Sequence, residues 1–219
     1  YATEYMMHAI LKDEHPRKSL IATYKMLLAM PNRQPLSTHA DWYSSNRAYS
    51  LSSYIGGAAF LEHLTYIIGP ERMKAFWNRF YEDWKLKHPK PEDLIRAAEQ
   101  VSQMELDWFH REFIFSTHTI DYAVDSVFQA EGKARIKLSN KGSFPMPVRL
   151  RITKKDGSAL NLMIPLDVQR VKTNPNQSHT SLSNLGPFKA WPWVEPTYLI
   201  DLPFNVESIR SVEIDPDGY

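Results

Sequence analysis

The sequence predicts an α+β fold: a helical half over 1–117 followed by a β-sandwich over 118–219. Three observations carry that division. Apolar residues recur at helical spacing through the first half. After Thr119 the period drops to two: Ala134, Ile136 and Leu138 alternate with Arg135 and Lys137, and Val148, Leu150 and Ile152 with Arg149 and Arg151. Turn-forming pairs, Glu131-Gly132 and Asp156-Gly157, fall between the alternating runs, where hairpins need them.

In chain order, 1–11 carries Tyr1, Tyr5, Met6, Ala9 and Ile10 as a helical stripe, broken at His15-Pro16. Within it Glu4 and His8 lie one turn apart, a spacing that suits either two zinc ligands or an i,i+4 ion pair. A second helix over 17–30 places Leu20, Ile21, Tyr24, Leu27 and Leu28 on one face and ends at Pro31. The polar segment 32–47 reads as a loop, either bordering a cleft or simply connecting. Leu51, Ile55, Ala58, Leu61, Leu64 and Ile68 then mark a buried helix that stops at Gly69-Pro70 and has Tyr54 in its first turn. Gly56 and Gly57 follow at once. Each costs a helix about 1 kcal/mol relative to alanine, so the pair points to a close approach to the backbone there.

Pro70 opens a helix whose Met73, Phe76, Trp77, Phe80 and Tyr81 form an aromatic core stripe. Pro91, Glu92 and Asp93 are good helix-start chemistry for the next, with Leu94, Ile95, Ala98 and Val101 inward. The last helix, 105–115, buries Leu106, Trp108 or Phe109, and Phe113. Strands at 122–128, 198–202 and 211–214 bring the second half to six or seven, which argues for a sandwich. The Asn, Ser, Thr and Pro of 167–189 read as a long loop. Trp191-Pro192-Trp193 reads as a ligand platform or as a packed corner.

Composition narrows the function. Lys+Arg 26 against Asp+Glu 25 leaves no basic field for nucleic acid. The absence of cysteine excludes disulfides and thiolate metal sites. No run is long enough to span a bilayer, and the compartment stays open between cell envelope and cytoplasm. Neither a Gly-x-Ser-x-Gly elbow, a phosphate-binding glycine loop, nor a His-x-x-x-His pair occurs.

Tyr54-Ile55-Gly56-Gly57, with Tyr49 five residues earlier, resembles the Tyr-x-Lys-Gly region of the thermolysin-like M1 zinc aminopeptidases, related to aminopeptidase N and leukotriene A4 hydrolase. Pro91 to Val101, followed by Leu106-Asp107-Trp108-Phe109, is similar to the helix pair that ends their catalytic domain. The departures are Gly56 in place of lysine, Phe113 in place of tryptophan, and the lack of His-Glu-x-x-His and Gly-x-Met-Glu-Asn.

The resemblance implies that 1–117 is the C-terminal half of a thermolysin-like catalytic domain and that an immunoglobulin-like β-domain follows it. It implies Tyr54 as the catalytic oxyanion donor and Tyr49, Gly56 and Gly57 at the substrate cleft. Zinc would be the cofactor and a peptide the substrate. The zinc ligands, including a glutamate just before Tyr1, would belong to the missing N-terminal part of the same protein. Since the chain opens inside a helical pattern without an initiator methionine, it is read as a C-terminal piece, inactive and without zinc when isolated, that could self-associate through its uncovered helical face. The competing expectation is a non-catalytic interaction module of peptidase ancestry.

Overall fold

The computed structural model describes residues 1, 2, 5, 6, 10, 17–168 and 188–218. The chain divides into two compact units, Tyr1–Thr117 and His118–Gly218. The first is helical and the second is built from two three-stranded antiparallel sheets, so the protein is α+β.

In the helical unit, Ala2, Tyr5, Met6 and Ile10 are helical, while Glu4 and His8 lie outside the described residues. Helix α1 is Lys18–Leu28, burying Leu20 and Leu27. The expected 32–47 loop ends early, because Ser45 caps a helix with its hydroxyl, accepting from the Ala48 N–H at 3.1 Å. That helix, α2 (Asn46–Ser50), runs through a π-helical turn, Leu51–Gly56, into α3 (Gly57–Ile68). Tyr54 therefore sits on the π-turn in mid-helix rather than in a first turn.

Gly69 breaks the helix at φ +87°, a conformation that a side chain would strain, and Pro70 begins α4 (Pro70–Trp84) with the φ that a first helical position wants. Met73 and Phe76 are buried as the aromatic stripe requires, but Tyr81 at its far edge is 65% exposed. Helix α5 (Pro91–Ser102) is capped by the Asp93 carboxylate, which accepts from the Lys90 N–H at 2.9 Å. Gln103 ends it in the left-handed conformation. The Glu99 carboxylate then accepts from the Leu106 N–H at 2.8 Å, which fixes the entry to α6 (Asp107–Phe115). Trp108, Phe109 and Ile114 are buried there and Phe113 is half-buried. The core closes on aromatic contacts, Phe60 stacked on Phe109 at 5.0 Å with Phe113 edge-on to Phe60 at 5.4 Å.

In the second unit β1 (Tyr122–Ala130) and β2 (Lys133–Asn140) form a hairpin. Glu131 and Gly132 both take positive φ there, the conformation of a turn whose twist matches the strands. β3 (Val148–Lys154) and β4 (Ala159–Ile164) form the second hairpin, with Gly157 at φ +85°. β5 (Thr197–Leu202) returns to pair with β2, and β6 (Ile209–Ile214) with β3, giving the orders β1-β2-β5 and β4-β3-β6.

Ile136 and Leu138 on one sheet and Leu150, Ile152 and Ile164 on the other are wholly buried. Two apolar faces turned against each other account for that burial in both sheets. Trp191 packs inside, between Tyr122 at 5.4 Å and Tyr198 at 5.3 Å, while Trp193 is exposed, so the Trp-Pro-Trp segment is half packed corner and half surface.

Two tertiary devices secure the β2–β3 connection. The Tyr122 hydroxyl accepts from the Met146 N–H at 2.8 Å and donates to the Met146 carbonyl at 3.0 Å. Residues 141–144 also wrap the preceding backbone: Lys141 and Gly142 donate to the Asp121 carbonyl, and Ser143 and Phe144 donate to that of Thr119.

Candidate functional site

The residues singled out in the sequence fall on one helix but in three different environments. The Tyr54 ring is 68% exposed, and among the described residues its hydroxyl has no hydrogen-bond partner. Tyr49, at 36% exposure, meets it edge-on with ring centroids 6.4 Å apart. The π-turn produces that meeting. Residues five apart on a regular α-helix point about 140° away from each other, whereas the i→i+5 bonding of a π-turn lays them on the same side. Such turns recur at functional sites in helices generally.

Tyr43 extends the array, its ring edge-on to Tyr49 at 5.7 Å. Its hydroxyl donates to the Pro35 and Leu36 carbonyls at 3.2 and 3.4 Å, which ties the loop to the ladder. Gln34 shapes the same loop, donating to the Trp42 carbonyl at 2.9 Å and accepting from the Ser44 N–H at 2.8 Å. An ordered, aromatic-edged shelf results, with one free phenol at its end.

Gly56 is buried. A Cβ there would stand 3.4 Å from Leu36 Cδ1 and 3.6 Å from Leu27 Cδ2, so its close approach is to the chain's own leucines. A Cβ on Gly57 would meet nothing within 4 Å. Gly57 lines a largely apolar hollow of about 340 Å³ with Phe60, Leu61, Phe80, Leu94 and Ile114, a volume at the small end of ligand sites. Neither Tyr49 nor Tyr54 lines it. The structure thus brings Tyr49 and Tyr54 together and places Gly56 and Gly57 elsewhere on the helix.

Two polar groups, one buried and one half-buried, escaped the sequence reading. Glu62 on α3 is buried with Arg17 at 3.8 Å and the Tyr5 hydroxyl at 3.5 Å. His63, next to it, holds the Ala59 carbonyl through Nδ1 at 2.7 Å and lies against Tyr24 and Phe113. Burial pushes the His63 pKa down, and it pushes that of Tyr24 up to about 12. A Glu-His pair inside an otherwise apolar run was the available signal. Among the described residues, no three His, Asp or Glu side chains converge as a metal site.

No protein-family model matches the chain, and no curated protein matches it either.

Proposed function

We propose that the chain is the C-terminal part of an M1-type zinc aminopeptidase that removes N-terminal residues from peptides, with Tyr54 as the oxyanion donor. The observation that carries this reading is the condition of Tyr54: a solvent-facing phenol with no hydrogen-bond partner among the described residues, in a π-turn whose other residues are buried or half-buried. A tyrosine retained for packing buries its ring and finds a partner for its hydroxyl. Tyr49 and the π-turn hold the Tyr54 ring in place, so a hydrogen bond aimed at the developing oxyanion would need little reorganisation.

The second unit is compatible with the same architecture. Its β2–β5 and β3–β6 pairings correspond to B–E and C–F of an immunoglobulin sandwich, with β4 in the place of C′. Catalytic zinc takes three protein ligands and an open position, and the described residues do not supply that donor set. On this reading the ligands and the general base belong to the upstream part of the protein, and this chain contributes Tyr54.

Gly56 favours the second reading, a non-catalytic module. The lysine of the family motif is absent, and the position is closed in by Leu27 and Leu36. Kinetics of the intact protein separate the two. Tyr54→Phe is expected to lower kcat by about 10²-fold to 10³-fold, roughly 3 to 4 kcal/mol, with little change in KM. Unchanged turnover would remove the catalytic role from Tyr54, and an intact wild-type protein without peptidase activity would establish the module.

A further inference from the structure

We propose that β4 is an interface at which two copies of this chain pair strand to strand, about a two-fold axis through Asn161. The inference is independent of the peptidase reading.

Among the described strands, β1, β5, β4 and β6 are sheet edges. Folded proteins protect edges with bulges, charges or prolines. β1 has a register shift between Val124 and Ser126. β6 lies against the shift at Thr153/Lys154 and carries Arg210 and Glu213. β5 carries Asp201, paired with Arg135. β4, Ala-Leu-Asn-Leu-Met-Ile, has no charge, proline, glycine or register shift.

The direction of its backbone groups follows from the hairpin. The Lys154 N–H donates to the Ser158 carbonyl at 2.8 Å, so in this register Leu160, Leu162 and Ile164 bond to β3. On the far side of β3, the Asp215 N–H donates to the Arg149 carbonyl at 2.9 Å, which fits the same alternation. Ala159, Asn161 and Met163 therefore turn their N–H and C=O groups outward, and among the described residues no hydrogen bond reaches them there.

The sequence around Asn161 identifies the occupant as a second copy. Antiparallel self-pairing centred on Asn161 sets that residue opposite itself as a hydrogen-bonded pair and Ala159 opposite Met163 of the second copy. The same register sets Leu160 opposite Leu162. All outward-directed backbone groups are then matched to each other. An axis perpendicular to the sheet keeps both apolar faces on one side, so the two sheets continue across it. The Asn161 side-chain oxygen already accepts from Arg151 Nε at 3.2 Å, leaving the amide N–H groups available to the facing asparagine. No like charges oppose the pairing.

Sedimentation velocity of the 219-residue chain over a concentration series tests this. A concentration-dependent dimer is expected. Asn161→Lys sets two ammonium groups face to face on the axis and should raise the dimer dissociation constant by about tenfold or more. Asn161→Asp should do the same with two carboxylates. An equimolar mixture of the two variants should dimerise again, because each axis then holds a Lys opposite an Asp. Circular dichroism verifies that each variant is folded. A wild-type chain that stays monomeric at every concentration overturns the proposal, and so does a dimer that Asn161→Lys leaves intact. Failure of the mixture to recover would place the axis elsewhere and equally overturn it.

Discussion

A methyl group added to Gly57 in the helical unit would meet nothing within 4 Å, whereas one added to Gly142 in the β unit would lie 2.2 Å from the Thr119 carbonyl oxygen and 2.6 Å from the Asp121 nitrogen. The two glycines have opposite relations to their surroundings. Gly142 is there because two stretches of backbone pass so closely that no side chain fits between them. Gly57 leaves open space beside a helix and weakens that helix for no internal packing reason. Close approach is thus a structural requirement at Gly142, while at Gly57 it is available to something outside the fold.

The largest stability effect expected from this contrast is at Gly142. Gly142→Ala drives a Cβ into backbone, so 141–144 must shift and strain its bonds to Thr119 and Asp121. A loss of about 3 kcal/mol is expected, visible as a lowered unfolding transition of the β unit. Hydrogen exchange of Ile136 and Leu150 should report it, while exchange of Leu64 and Phe109 should not. An unchanged β-unit transition would mean that the crossing can relax.

Half-buried tyrosines sharpen the comparison at alkaline pH. Burial raises the pKa values of both Tyr24 and Tyr122 to about 12, although Arg33 beside Tyr24 and the Met146 backbone at Tyr122 oppose the shift. The unfolded chain releases these protons near pH 10, before the folded one does. Each contribution is therefore complete below pH 10 and is lost as pH rises towards 12, by about 2 to 3 kcal/mol per tyrosine. Replacement by phenylalanine should remove that dependence in either unit, read from denaturant midpoints across pH 9–12. At neutral pH the two variants should differ. Among the described residues Tyr24 makes no hydrogen bond and its loss should be nearly neutral, while Tyr122→Phe strands the Met146 N–H at a cost of about 1 to 2 kcal/mol.

On the acid side His63 gives the helical unit a dependence of its own. The His63 pKa is pushed below its usual value of about 6.5, mainly by burial. The unfolded chain therefore takes up the proton first, and the helical unit should lose stability as pH falls below about 6.5. His63→Phe should flatten that limb of the pH profile, and an identical acid limb in the variant would rule His63 out as its source. The smallest effect is a gain. Gly57→Ala should stabilise the helical unit by about 1 kcal/mol, since the new methyl meets nothing. If the intact protein nevertheless lost activity on gaining that methyl, the space beside Gly57 would be part of the substrate path.

What could be read from the sequence was local in origin. The strands were legible because alternation at 134–138 and 148–152 is imposed residue by residue on a half-buried sheet, and Glu131-Gly132 and Gly157 supply their own turn geometry. The interruption at Gly69-Pro70 was equally plain. The start of the Tyr54 helix was missed because apolar periodicity begins at Leu51, although the Ser45 cap sets the boundary before Asn46. Tyr81 was counted with the core stripe, yet it lies exposed, with the Lys85 ammonium 5.8 Å from its ring centre. The need for glycine at 142 depends on Thr119 and Asp121, distant in sequence, and no pattern at 142 announces it. The Tyr43–Tyr49–Tyr54 ladder was invisible for a related reason, since a spacing of five has no meaning on an ordinary helix.

That spacing also gives the aromatic shelf a particular relation to chain length. In an uninterrupted α-helix each residue advances the rotation by about 100°, so relaxing 51–56 to α geometry with every residue kept would swing Tyr49 and its loop about 140° away from Tyr54, whereas removing one of residues 51–53 at the same time would leave the two tyrosines four apart and again on one side. In the first case Tyr54 would keep its place on the helix and lose its neighbour; in the second it would keep both. A substitution in this turn changes one side chain, but a change of helical geometry at fixed residue count changes which residues face one another, and the shelf depends on the turn and the count of residues together.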